Sequence, residues 1–199
     1  SVTADPFVDE DLQISMSLLF KLHAQAYKTD KRFAIENMIE YYYGLAKEID
    51  AIRFSDVEDV KEDVKKLLEY RDSLGIQEIL CHGDYAHTNV LIFPDGTSKM
   101  IDWEYSGASD PIMDVSMYSI YAEFDRERIE LALRMYLGRE PEEQEWARLY
   151  LYVALGGFLW CMWSQYKQGL GQEFGEYPLK MYRYMKDYYK LLQEKDMLG

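Results

Sequence analysis

Asp84, Asn89 and Asp102 are the residue types, at the spacings, from which a divalent-cation site beside a proton acceptor can be built. They lie in two short runs, His82-Gly83-Asp84-Tyr85-Ala86-His87-Thr88-Asn89 and Ile101-Asp102-Trp103-Glu104. Carboxylate and side-chain amide oxygens are hard donors of the kind magnesium accepts, usually with only one or two protein carboxylates. Between the runs, Pro94-Asp95-Gly96-Thr97 signals a hairpin turn. With Asp95-Gly96 at its centre, Phe93 falls opposite Ser98, Leu91 opposite Met100 and Asn89 opposite Asp102. Directly opposed residues share a face, with Cβ atoms roughly 4.5 to 5.5 Å apart, so Asn89 and Asp102 are expected to share one cation. Asp84, in the loop feeding the hairpin, can reach its mouth without binding the metal and accept a proton from an attacking hydroxyl. Each element alone is uninformative; their agreement in register is what carries weight.

Nearby polar residues read differently. No second histidine lies at ligand spacing from His82, which is expected to brace the loop by hydrogen bonds. His87 and His23 fit loop and core roles. Asp114, just after Asp110-Pro111, has the type to cap a helix or bind a substrate amine, and the favoured expectation is a buried role tying the loop in place. Trp160 and Trp163, three apart, share a helix face and can border one cavity. An aromatic wall attracts a quaternary ammonium, which has no N–H to donate, by about 2 kcal/mol when desolvated. On the residues alone, core packing is the commoner role of such a pair.

These groups need elements to position them. Helical periodicity covers Asp9 to Ala26, with Leu12, Met16, Leu19, Phe20 and His23 on one face, and about Asp30 to Glu48. A third helix is signed by a Ser55/Glu58 capping box, a stripe of Val57, Val60, Val64, Leu67 and Leu68, and a stop at Gly75. Glu78 to Cys81 reads as a short strand, and Val90 to Phe93 with Ser98 to Ile101 as the hairpin. Helix resumes at Pro111; a long helix opens at Pro141 and runs to about Lys167, and the last covers about Tyr177 to Glu194. The class is mainly α with a small β hairpin, α+β.

Composition narrows the function classes. The 199 residues fit one domain or one large lobe. A hydrophobic content of 48% and an aromatic content of 15% exclude a disordered chain. A net charge of −14 argues against nucleic acid, which is bound through clustered Lys and Arg, and is compatible with a cationic ligand. Cys81 and Cys161 have no framework spacing, so neither a disulfide scaffold nor a zinc ribbon is expected, and free thiols in a reducing cytoplasm fit best. The apolar run from Leu149 to Trp163 falls short of the roughly 20 residues that span a bilayer, so no membrane insertion is expected. No leader pattern opens the chain, whose first residue is Ser.

His82-Gly83-Asp84 through Asn89, Ile101 to Gly107, Asp110-Pro111 and Asp114 together resemble the signature of the choline/ethanolamine kinases and aminoglycoside phosphotransferases. The Asp102-Trp103-Glu104-Tyr105-Ser106-Gly107 run is most similar to bacterial choline kinases. Phe158 to Ser164, followed by Glu173-Phe174-Gly175, resembles the choline-pocket segment of the same enzymes. The resemblance implies the C-terminal lobe of a protein-kinase-like fold, with Asp84 as catalytic base, Asn89 and Asp102 as magnesium ligands, ATP as cosubstrate, and Trp160 and Trp163 holding choline or ethanolamine. Tyr105, Tyr121, Tyr177 and Glu104 are further substrate-binding candidates, with His82 and Asp114 supporting the loop; around Tyr121 and Tyr177 the sequence departs from the family. Kinases of this fold carry a glycine-rich loop and a strand lysine over the phosphates. Gly44 and Gly75 are the only glycines before Cys81, so residues 1–8 are expected to link from a missing N-terminal lobe to a catalytic lobe over 9–199 that is inactive alone. The alternatives are an aminoglycoside or other amine-alcohol phosphotransferase and, from another class, a non-catalytic choline-binding module.

Overall fold

A computed structural model describes residues 1–198. The backbone divides into two compact units, where the length suggested one. The first takes residues 1–33 and 77–149, the second residues 34–76 and 150 onward.

In the first unit, strand β1 (Val2–Thr3) precedes helix α1 (Asp9–His23). Three acids in the first turn of α1 complement its dipole, and Leu12, Ser15, Met16, Leu19 and His23 are buried. Phe20, expected on that face, is 45% exposed instead. After the excursion into the second unit come β2 (Ile79–Cys81), a 3-10 turn at His87–Asn89, β3 (Val90–Ile92), β4 (Ser98–Met100) and β5 (Gly107–Ser109). Two antiparallel sheets result, β1-β3-β4 and β2-β5. Residues 1–8, read from sequence as a loose connection, are therefore drawn in: Val2 pairs with Ile92 and Thr3 with Leu91, and Ala4 N donates to Val90 O.

The hairpin register differs by one from the expected one. Val90 pairs with Met100, Leu91 with Lys99 and Ile92 with Ser98. The turn explains the shift. Gly96 N donates to Phe93 O and Phe93 N to Thr97 O, while Gly96 sits at φ +80, so the loop has three residues with a left-handed glycine at its end. The Asp95 carboxylate closes it by accepting from Thr97 N (3.0 Å) and Thr97 Oγ1 (2.7 Å).

Helix α4 (Pro111–Tyr121) is buried from Ile112 to Ile120 and is capped by Asp110, whose side chain accepts from Ile112 N with Pro111 at the first turn. The same Asp110 carboxylate meets Arg148 through Nε (2.8 Å) and Nη2, so the cap is also one end of a bidentate ion pair. Helix α5 (Arg126–Leu137) packs on α1 and α4 and ends at Gly138 in the left-handed conformation.

The second unit is helical: α2 (Ile35–Glu48), α3 (Val57–Ser73), residues 150–169 of α6 (Glu143–Gly169) and α7 (Tyr177–Glu194). Helix α2 starts five residues later than expected because residues 31–33 are held beside β5 by an isolated bridge between Arg32 and Ala108. The Ser55/Glu58 capping box does not form. Asp56 is the N-cap without a side-chain cap bond, and the Glu58 carboxylate accepts instead from Tyr43 Oη (2.7 Å) and Lys47 Nζ (2.8 Å). Helix α6 begins at Glu143, so Pro141 lies just outside its first turn. From Leu149 to Leu155 every residue of α6 is buried, as an all-round apolar helix demands. Gly157 lets α6 approach α7: an added Cβ would lie 2.7 Å from Met181 O and 2.8 Å from Tyr184 Cβ.

Candidate active site

The loop from His82 to Asn89 is fixed from beneath. The Asp114 carboxylate, fully buried on α4, accepts from His82 N (2.7 Å) and Gly83 N (3.0 Å). Its Oδ2 also meets His23 Nε2 at 3.1 Å, and His23 Nδ1 meets Tyr136 Oη at 2.8 Å. Helices α1, α4 and α5 thus converge on two peptide groups of one loop. Burial, with the charges of Asp114 and Asp110, raises the neighbouring Cys81 thiol well above its usual range. With the Cys81 thiol donating to Ser109 O and both oxygens of Asp114 and both nitrogens of His23 engaged, this buried cluster is a structural knot.

His82 closes the loop from above. Its Nε2 lies 2.9 Å from Ile101 O, and its Nδ1 accepts from Asp84 N at 3.3 Å. Trp103 covers the imidazole with ring centroids 4.7 Å apart, and its Nε1 donates to Met100 O. Trp103 carried no individual role in sequence and stood out only as part of the Asp102 to Gly107 run.

Asn89 Nδ2 donates to Asp84 O at 2.9 Å, and Ile101 N donates to Asn89 O at 3.0 Å. The amide nitrogen of Asn89 therefore faces the loop, and its oxygen is the atom left for another partner. Asp102 follows Ile101 in the left-handed conformation at φ +66. Strand alternation, on which the expected same-face pairing rested, does not govern either residue, because Asn89 ends a 3-10 turn and Asp102 breaks the extended backbone. What brings the two runs together is the hairpin ladder in its observed register, which continues as Asn89 opposite Ile101, with His82 Nε2 also at the Ile101 carbonyl. Among the described residues the Asp84 and Asp102 carboxylates have no hydrogen-bonding or ionic protein partner, so hard oxygen ligands remain available and fit a magnesium ion.

Gly83, at φ +82, has no room for a side chain because Tyr105 O occupies the position of its Cβ. Tyr105 is thereby set against the residue before Asp84. Its hydroxyl is raised above the usual phenol range by partial burial first, then by the charges of Glu104, Asp84 and Asp102. Three carboxylates therefore act on one tyrosine. Glu104 is exposed, and its backbone carbonyl accepts from Lys31 Nζ at 2.7 Å. Tyr121 is half-buried at the end of α4.

The second unit holds the tryptophans in an aromatic run. Trp160 and Trp163 stand 5.7 Å apart edge to face, Trp163 and Phe174 5.1 Å apart, and Phe174 and Tyr177 6.2 Å apart. All four are half-buried. Phe174 entered the sequence reading only as part of a motif and joins the group here as the link between Trp163 and Tyr177. Among the described residues no helix is long and apolar enough to cross a membrane.

The chain is 25% identical over 184 residues to protein LicA of Haemophilus influenzae, a match covering 88% of this chain and 67% of that protein. It superposes on the choline kinase LicA from Streptococcus pneumoniae with a TM-score of 0.78 at 25% identity, over 96% of this chain and 67% of the other. A structure of LicA in complex with AMP gives a TM-score of 0.77 at 25% identity, over 96% and 66%. These relatives share the mainly helical, kinase-like fold with small antiparallel sheets. The profile of the phosphotransferase enzyme family, APH, matches residues 7–152, from the first turn of the chain to the middle of α6. The chain belongs to the phosphotransferase enzyme family.

Proposed function

We propose that this chain is the catalytic and acceptor-binding part of a kinase that moves the γ-phosphate of ATP to the hydroxyl of choline or ethanolamine. The observation that carries the reading is the hydrogen-bonded coupling of Asp84, Asn89 and Ile101-Asp102 in one locality, with two carboxylates left unpaired. The acceptor hydroxyl gives its proton to an Asp84 carboxylate oxygen as its own oxygen bonds to the γ-phosphorus. The bond from that phosphorus to the bridging oxygen breaks, and ADP leaves. Asn89 and Asp102 would hold magnesium, whose charge offsets that of the phosphates. His82 and Asp114 hold the loop still, so most of the rate comes from positioning and fixed charge.

Glu104 and Tyr105 are assigned to the acceptor's cationic end, and so are Trp160, Trp163, Tyr177 and Tyr121. Two tryptophans favour a quaternary ammonium over an aminoglycoside, whose many N–H groups call for carboxylates. The glycine-rich cover for the phosphates is assigned to a preceding lobe, with residues 1–8 as its connection and 9–199 as the catalytic lobe. On this reading the 199 residues alone transfer phosphate negligibly, and the reaction takes place in the cytoplasm on a small molecule. A titration of tryptophan fluorescence with choline, ethanolamine and kanamycin tests the assignment. Choline-selective quenching that disappears in Trp163→Ala is expected; a response selective for kanamycin would transfer the assignment to aminoglycosides, and binding without any turnover in the whole protein would make this a choline-binding module.

A further inference from the structure

Residues 31–33 form a strap that touches three parts of the first unit at backbone level. Ala108 N donates to Lys31 O at 2.7 Å and Phe33 N to Ala108 O at 3.0 Å, which binds the strap along β5. Lys31 Nζ then reaches the Glu104 carbonyl at 2.7 Å. Gly107 has no room for a side chain, since a Cβ there would lie 2.7 Å from Phe33 N. A Cβ on Gly83 would meet Phe33 Cδ2 at 3.0 Å as well as the Tyr105 carbonyl. Phe33 is buried, with 7% exposure, so its ring is a fixed spacer between the Asp84 loop and the strand that follows Tyr105. Glu104 and Tyr105 themselves are exposed. Apart from a turn bond from Ser106 N to Trp103 O, the charge-assisted bond from Lys31 is what holds this stretch at its outer end.

We propose that Lys31 is a positioning residue for the acceptor side of the reaction: through the Glu104 carbonyl it holds Glu104 and Tyr105 in register with Asp84, and Phe33 fixes their spacing. The inference rests on the proposed function, which assigns Glu104 and Tyr105 to the acceptor. It differs from a general stabilising role in where it acts, because the Lys31 ammonium bonds to Glu104 and the strap backbone bonds to Ala108.

The test is steady-state kinetics of the whole protein with choline as acceptor. Lys31→Met is expected to lower kcat/KM for choline about tenfold, mainly through KM, with the KM for Mg-ATP within about twofold of wild type. Lys31→Arg keeps a cationic donor and is expected to recover kcat/KM to within about threefold. An unchanged choline kcat/KM in Lys31→Met, an equal rise in both KM values, or failure of Lys31→Arg to rescue would overturn the proposal. Asp84→Asn separates the two readings. Loss of transfer in Asp84→Asn with a silent Lys31→Met removes the strap alone, whereas an active Asp84→Asn removes the functional assignment beneath it.

Discussion

Asn89 donates its side-chain amide to the backbone carbonyl of Asp84 across 2.9 Å. That bond orients both residues at once: it commits the nitrogen of Asn89, leaves its oxygen for a cation, and sets the turn from which the Asp84 carboxylate projects. Asn89→Asp would replace the donor by an acceptor facing a carbonyl. Metal affinity is expected to fall even though a carboxylate is nominally the better ligand, by about tenfold or more given the weight of orienting bonds around a metal. Titration with Mn2+ followed by electron paramagnetic resonance checks this, and tighter binding in Asn89→Asp would contradict it.

The Asp114 knot has a separable energetic signature. Tyr136→Phe leaves His23 Nδ1 buried without its partner and is expected to cost about 1 to 3 kcal/mol. Asp114→Ala strips acceptors from two buried peptide N–H groups and from His23, and is expected to cost about 3 kcal/mol or more. Urea denaturation measures both, and equal costs for the two variants would show that the loop is not hung on Asp114.

His87 makes the loop sensitive to acid. Its ring packs near Tyr118, and its Nδ1 is buried with no hydrogen-bond partner among the described residues. Burial lowers its pKa below the usual 6.5, against the opposing pull of Asp5. The unfolded chain therefore takes up this proton near pH 6.5, and the folded chain only at lower pH. Between those two values the unfolded state binds more protons, so the contribution is complete above about pH 6.5 and is lost progressively as pH falls toward the folded pKa. His87→Phe is expected to flatten the slope of stability against pH just below about pH 6.5. Identical slopes in denaturation curves of the two proteins would contradict the burial argument.

Gly157 tests the helical unit. A methyl group there meets the Met181 carbonyl and Tyr184 Cβ, so Gly157→Ala is expected to force α6 and α7 apart at a cost of about 1 to 3 kcal/mol, despite alanine's better helix propensity. A thermal melt with an unchanged or raised midpoint would contradict that packing.

Much of this was legible in the sequence. The last helix begins and ends where the Tyr177 and Glu194 signals put it, and the hairpin lies where Pro94 to Thr97 put it. The local chemistry of turns and apolar stripes is strong there. Register was not legible, because one left-handed glycine decides whether a loop holds two residues or three. Nor were β1 and β5: two or three residues of Val-Thr or Gly-Ala-Ser carry little strand propensity, and their pairing is tertiary. For the candidate site, the sequence yielded the three polar side chains but not the contacts that join them. Gly83 and Gly107 leave no room for a side chain, and nothing in sequence names Tyr105 and Phe33 as what approaches them. His23 looked like a core residue, and it is one, while also reaching Asp114.

The central assignment is that Asp84 accepts the proton of an alcohol during phosphate transfer at a metal held by Asn89 and Asp102. It is tested most directly by the initial rate of labelled γ-phosphate transfer from Mg-ATP to choline in the whole protein, wild type against Asp84→Asn. A fall of about 10² to 10⁴ is expected, with the KM for Mg-ATP nearly unchanged. A variant that keeps a third or more of the wild-type rate would contradict it.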